Sequence, residues 1–406
     1  MLPLQKAVLI YLLGAAICIA CTLYFSNDAG AARIFSSLSP CVSGISNSAQ
    51  MTDCVERAVP TLFARDLSAG EIIHALSSAD APEQLRDACH PIGHIVGAQT
   101  YRSHGSIEAA LRTCTSDCRG ACTHGVIGAG ILAEIGRSYD EADVAHADLP
   151  ALQKIAQSLC ATSGRSVCHA IGHLFYLATS DMNAALALCD ANAEPANREF
   201  CYNGVFMEST GSPSFALNPA HPVAALAPAA ADRTYPCMQL RTPYRHACFT
   251  YLMAFQLPLF TAAGIARDDM LSDMERACTA LGERDRAYCF EGLGTAGIAF
   301  GFGSTDATRA QGFCEQFDGN NRDACTLGVV EEFALGGAKN VPIYCESITE
   351  TGRRSLCFNA LFQFSTHPFD TQQTVCTDDA TCSAYFDSYR ATQTTLPQYS
   401  YGLYGK

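Results

Sequence analysis

Five of the 11 histidines stand at or just after cysteines. His90 and His94 lie in Cys89-His90-Pro91-Ile92-Gly93-His94, His169 and His173 lie in Cys168-His169-Ala170-Ile171-Gly172-His173, and His124 comes two residues after Cys122. The first two segments are one six-residue pattern, Cys-His-x-x-Gly-His. On a helix, residues four apart share a face, so each pair can offer two imidazoles to one metal or one to each of two. Imidazole nitrogen suits Zn, Cu, Fe and Ni. If the two segments face each other, His124 falls between them and four or five imidazoles converge. The expected site is therefore a transition metal (Zn, Cu or Fe) or a non-covalent haem on His90, His94, His124, His169 and His173, used in metal handling or redox chemistry. Any haem would be non-covalent because Cys-x-x-Cys-His occurs nowhere.

Against this stands a plainer reading, in which each histidine bonds backbone one turn into a helix and merely fills a position. The equivalent places further along the chain are Phe249 and Met253, then Thr326 and Val330. The scaffold thus folds without histidine there, and its presence twice asks for a local cause. Glu208 and Asn203 are the acidic and amide candidates beside the pairs, whereas Glu331 and Glu332 read as solvated or packing residues. Pro91 would kink a helix begun at Pro82-Glu83, unless a helix begins at Pro91 itself. An acid/base enzyme working without metal is a further reading, but no catalytic residue or substrate can be named. A phosphate-cradling glycine loop, a His-Glu-x-x-His motif and a Gly-x-Ser-x-Gly elbow are all absent from the sequence.

The elements that would position these histidines are marked by cysteine. The chain has 406 residues and 22 cysteines, too few for a fold made mostly of disulfides and too many for a reduced cytosolic protein without metal. Many come as close pairs: Cys160/Cys168, Cys189/Cys201, Cys237/Cys248, Cys278/Cys289, Cys314/Cys325 and Cys345/Cys357. An apolar-periodic run precedes the first cysteine, turn residues lie between, and an arginine such as Arg198, Arg245 or Arg322 stands three before the second. This is helix, tight turn, helix, with a disulfide pinning each hairpin. Cys114/Cys122 repeats the spacing, which leaves Cys118 for Cys89, and Cys41/Cys54 with Cys376/Cys382 complete ten bridges. A metal cluster on Cys114, Cys118 and Cys122 is the weaker alternative.

Taking every other second cysteine shows a longer period of about 80 residues. The interleaved series carries a polar residue and then a small one after the cysteine: His124-Gly125, Asn203-Gly204, Glu291-Gly292 and Asn359-Ala360. The small residue lets neighbouring helices approach closely. The expected fold is all-α, a disulfide-pinned array of helical hairpins (α/α, solenoid-like) with one N-terminal transmembrane helix. Its parts are a signal anchor over 1–26, lead-in helices over 27–80, four units of paired hairpins over 81–390 and a loose tail over 391–406. Residues 211–236, rich in proline, read as an irregular loop.

The stretch from Cys160 to Tyr176, with seven residues between Cys160 and Cys168 and then Ile171-Gly172 and Tyr176, resembles the Sel1-like repeats of secreted bacterial proteins, and more loosely TPR-type repeats. That resemblance implies an α/α architecture and binding of a ligand or partner. It carries over no catalytic residue. The alternative function is accordingly a non-enzymatic scaffold holding an envelope protein, peptide or glycan.

Residues 7–25 form an uncharged apolar stretch after Lys6, nearly long enough to span a bilayer. An uncleaved anchor is preferred to a cleaved signal peptide, whose apolar core is usually about 7–15 residues. The remainder is then expected in a bacterial periplasm or the extracellular space, tethered to the membrane by that helix. The net charge of −14 and the lack of a basic run disfavour nucleic acid as a partner.

Overall fold

The computed structural model describes residues 30–43, 48–78, 80–115, 117–137, 147–163, 165–210, 232–299, 307–335, 341–364, 376 and 380–393. The described residues are helical and contain no strand. The expected membrane segment and most of the proline-rich loop lie outside them. No helix among the described residues is long and apolar enough to cross a membrane. Residues 391–393, expected as tail, continue the helix Ala380–Gln393.

Eight helices that contain or closely follow a second cysteine carry the interior. They are α1 (Cys89–His104), α2 (Ala121–Glu134), α3 (Arg165–Thr179), α4 (Pro195–Ser209), α5 (Thr242–Thr250), α6 (Glu283–Ala299), α7 (Gly319–Leu335) and α8 (Thr351–Phe364). Each packs against the next in chain order, most extensively α1 with α2, α3 with α4 and α6 with α7. The preceding shorter helices, such as Met182–Cys189 and Ala307–Glu315, cover them from outside.

All ten expected disulfides form, including Cys89–Cys118 and Cys114–Cys122. Five of the arginines that stand three residues before a second cysteine share one task. Arg198 donates to the carbonyls of Asn192 and Ala193, Arg245 to Leu240, Arg286 to Leu281, Arg322 to Phe317 and Arg354 to Ile348. A helix end leaves its last carbonyls without partners and carries partial negative charge, and a guanidinium from the next helix satisfies both. The hairpin is therefore closed twice, covalently through cysteine and electrostatically through arginine.

Close crossing follows from the small residue after the interleaved cysteines. A Cβ added at Gly125 would overlap the His94 carbonyl oxygen, at Gly204 that of His169, and at Gly292 that of Phe249. Gly172 stands opposite, against Cys201 and Gly204. Backbone contact at Gly125 sets His94 of α1 beside His124 of α2, and α3, which also packs on α2, brings His169 and His173 to the same place.

Pro91 does not kink a long helix. A short helix, Glu83–Asp87, ends at Ala88, and α1 begins at Cys89. Pro91 lies in the first turn, where its missing N–H has no intrahelical role.

Candidate metal centre

His90 and His94 on α1, His124 on α2, and His169 and His173 on α3 all lie in one buried cluster, each between 4% and 7% exposed. His94 Nε2 is 3.1 Å from His90 Nε2, and His124 Nδ1 is 3.3 Å from His94 Nε2. On the other side, His173 Nε2 is 3.1 Å from His169 Nε2. The His124 ring centre is 5.1 Å from the centres of both His169 and His173. Two groups thus have the spacing to hold an ion, His90/His94/His124 and His124/His169/His173, with His124 common to both. Two nitrogens bound about 2.0–2.1 Å from a tetrahedral ion stand about 3.3 Å apart, which is the spacing found here.

The rings are held from behind. His90 Nδ1–H donates to the Cys118 carbonyl at 2.8 Å, leaving Nε2 as its lone-pair nitrogen. His169 hydrogen-bonds the backbone of Phe200, and His173 Nδ1 lies 2.8 Å from Glu208 Oε2. A backbone carbonyl or a carboxylate behind an imidazole fixes its tautomer and raises its basicity, as metal ligands require. Met207 Sδ is 3.3 Å from His169 Nε2, which adds a soft donor beside the second group.

Burial keeps the imidazoles neutral. It pushes His94 and His173 down to about 3, and His90, His124 and His169 well below their ordinary value, with the neighbouring imidazoles adding to the effect for all but His173. Burial also raises Glu208 to about 8, so its carboxyl holds a proton at neutral pH until a cation replaces it. Five neutral imidazoles with ring nitrogens turned toward one another make groups that could hold a metal ion.

The carbonyl that holds His90 belongs to a strained turn. Cys118 (φ 54°), Arg119 (φ 59°) and Gly120 (φ 70°) are all left-handed, and the two non-glycine residues cost of order 1–3 kcal/mol each. The bridges Cys89–Cys118 and Cys114–Cys122 clamp the turn from both sides. Its next residue, Arg119, reaches across the molecule to Glu332 on α7, with Nη2 2.7 Å from the carboxylate.

All five expected histidines meet. Glu208 joins them through His173, while Asn203 is buried with Oδ1 lacking a hydrogen-bond partner. Glu331 and Glu332 are not solvated; each is 5% exposed. Burial raises both carboxyls, opposed at Glu332 by Arg119. A second polar cluster was not expected. His246 on α5 lies between Glu199 on α4 (2.6 Å) and Glu291 on α6 (3.0 Å), and these carboxylates hold it protonated despite burial. The signal for Glu291 was present, since it occupies the place of His124 two residues after a cysteine.

No family model matches this chain, and no curated protein or solved structure matches it significantly. The likeness to Sel1-like repeats rests on Cys160 to Tyr176 alone. What the fold and the site define is a disulfide-rich helical protein with buried histidine groups able to hold a metal ion.

Proposed function

We propose that this is an exported protein, tethered by its N-terminal apolar segment and built as a disulfide-pinned hairpin array, that holds one transition-metal ion at the histidine cluster. Its role would be metal handling or redox chemistry. The observation carrying this reading is the contact of five buried, neutral imidazoles at metal-ligand spacing. Ten disulfides fit an oxidising compartment. A scaffold that captures an envelope protein, peptide or glycan would place its polar residues on an accessible face, whereas these are buried.

A haem takes axial imidazoles from opposite faces of a porphyrin, so nitrogens in direct contact suit a bare ion better. The nitrogen-rich set favours Zn, Cu or Fe(II) over Mg or Ca, and the Met207 thioether favours copper among them. One ion at His124 can draw on both pairs. Two ions would need His124 to bridge them as an imidazolate, with more positive charge than one nearby Glu208 can offset.

Elemental analysis of the full chain after metal-replete expression should find about one transition-metal ion per chain. His94→Ala with His173→Ala should lose it while the helical circular dichroism persists. A metal-free wild type would overturn the reading.

A further inference from the structure

Nine of the ten bridges join cysteines 6 to 13 residues apart. Cys89–Cys118 spans 29 and runs from the first residue of α1 to the turn before α2. Cys89 stands where the other hairpins have their second cysteine, but residues 77–81, where a local partner would fall, are Ser-Ser-Ala-Asp-Ala. Cys118 lies between Cys114 and Cys122, which already bridge one another, and none of the other close cysteine pairs encloses a third cysteine. The bridge is therefore surplus to the repeat, and it falls at the histidine cluster.

Its two ends hold one imidazole. Cys89 is the chain neighbour of His90, and Cys118 supplies the carbonyl that receives His90 Nδ1–H at 2.8 Å. One covalent link thus fixes His90 at both its backbone and its ring. The acceptor behind His173, Glu208, is carried by helix α4, whereas the carbonyl of Cys118 lies in an irregular turn. There φ is 54° at Cys118 and 59° at Arg119, the one place among the described residues where two successive non-glycine residues are left-handed. Such backbone persists only where its surroundings enforce it. Without the bridge the turn relaxes and the carbonyl leaves His90.

We propose that the Cys89–Cys118 bridge positions His90 for the metal, so that the centre reaches its full affinity only once a disulfide oxidant has formed this bridge. The inference rests on the metal reading above and adds an order to it, oxidation first and loading second. In the oxidation the Cys89 and Cys118 thiols give up two protons and two electrons as their S–S bond forms. The disulfide of the oxidant receives them and becomes a pair of thiols. A dithiol reductant runs the same exchange backwards and loosens the ion.

The test uses the full chain, freed of metal and titrated with Zn(II) against a chromophoric chelator. Cys89→Ser with Cys118→Ser should weaken Zn(II) about 10–100-fold, the usual effect of losing a group that orients a ligand. Cys345→Ser with Cys357→Ser removes a bridge at α8 and should change the affinity less than about twofold, the scatter allowed for a lost bridge that orients no ligand. In a His90→Ala background, which keeps the His124/His169/His173 group, removing Cys89–Cys118 should have no further effect. Equal affinity with and without the Cys89–Cys118 bridge, the same loss in His90→Ala, or an equal loss on removing Cys345–Cys357 overturns the inference and leaves the metal reading standing. Should the serine variant fail to fold, wild type is reduced by graded dithiothreitol, capped with iodoacetamide and washed before the titration, and the opened bridges are mapped by mass spectrometry. Affinity that falls as Cys89–Cys118 opens supports the inference, and affinity that follows another bridge or none overturns it. Oxidised wild type that takes up no Zn(II) defeats the metal reading itself, and the inference with it.

Discussion

His94 and His173 are held near a pKa of 3 by burial, against an ordinary value of about 6.5 for exposed histidine. The unfolded chain therefore binds more protons than the folded one between these values. Stability of the metal-free protein, fully present above about pH 6.5, is lost as the pH falls through that window toward 3. Thermal melts of metal-free protein should show a falling Tm from pH 6.5 to 4, and a flat Tm there would contradict the burial of neutral imidazoles. Glu208 responds in the opposite sense, since burial raises it to about 8. Metal loading at pH 7 should then expel about one proton, because a cation favours the carboxylate. Calorimetric titration in buffers of different ionisation heat should report that proton, and Glu208→Gln should abolish it.

The histidines were legible in the sequence because the pattern occurs twice and the equivalent places further on do without it. Arg119 stands three residues before Cys122, at the register of the other arginines, but its departure to Glu332 was not legible, because that partner is 213 residues away and no local spacing announces the pair. Glu331 and Glu332 resemble a surface pair of acids for the same reason. The His246 cluster draws Glu199 and His246 from two residues before a cysteine and Glu291 from two after one, so no single register displays it.

At the scale of the helices, the arginine before each second cysteine was visible as a pattern, but its task was not. A carbonyl five or six residues back becomes its partner only once the chain has turned. The disulfides were legible because most partners are 6–13 residues apart, and Cys89–Cys118 followed by elimination. The small residue after the interleaved cysteines was read correctly as a point of helix contact. Gly204→Ala should show how strictly that contact sets the site. Its Cβ would meet the His169 carbonyl oxygen and lie 3.0 Å from Gly172 Cα, both backbone atoms that cannot rotate away. A loss of about 1–3 kcal/mol is expected in denaturant unfolding, with weaker metal binding as α3 is displaced. Gly312→Ala is the contrast, since a Cβ there meets nothing within 4 Å. It should be neutral or gain up to about 1 kcal/mol from helix propensity.

Across the described residues, two polar clusters and one ion pair are set into an otherwise apolar interior. The histidine cluster lies among α1, α2 and α3, the His246 cluster among α4, α5 and α6, and Arg119 with Glu332 ties the first turn to α7. Polar groups buried in an apolar interior are tolerable when their charges are paired or neutralised. The disulfides, each worth about 2–4 kcal/mol, supply stability that these buried polar groups do not. The function turns on whether a metal sits on imidazole nitrogen at this cluster. X-ray absorption of the metal-loaded full chain measures that directly. It should show a shell of nitrogen at about 2.0–2.1 Å with the outer-shell scattering of at least three imidazoles, reduced in His124→Ala. A first shell of oxygen or sulfur without imidazole scattering, or a spectrum unchanged by His124→Ala, would contradict it.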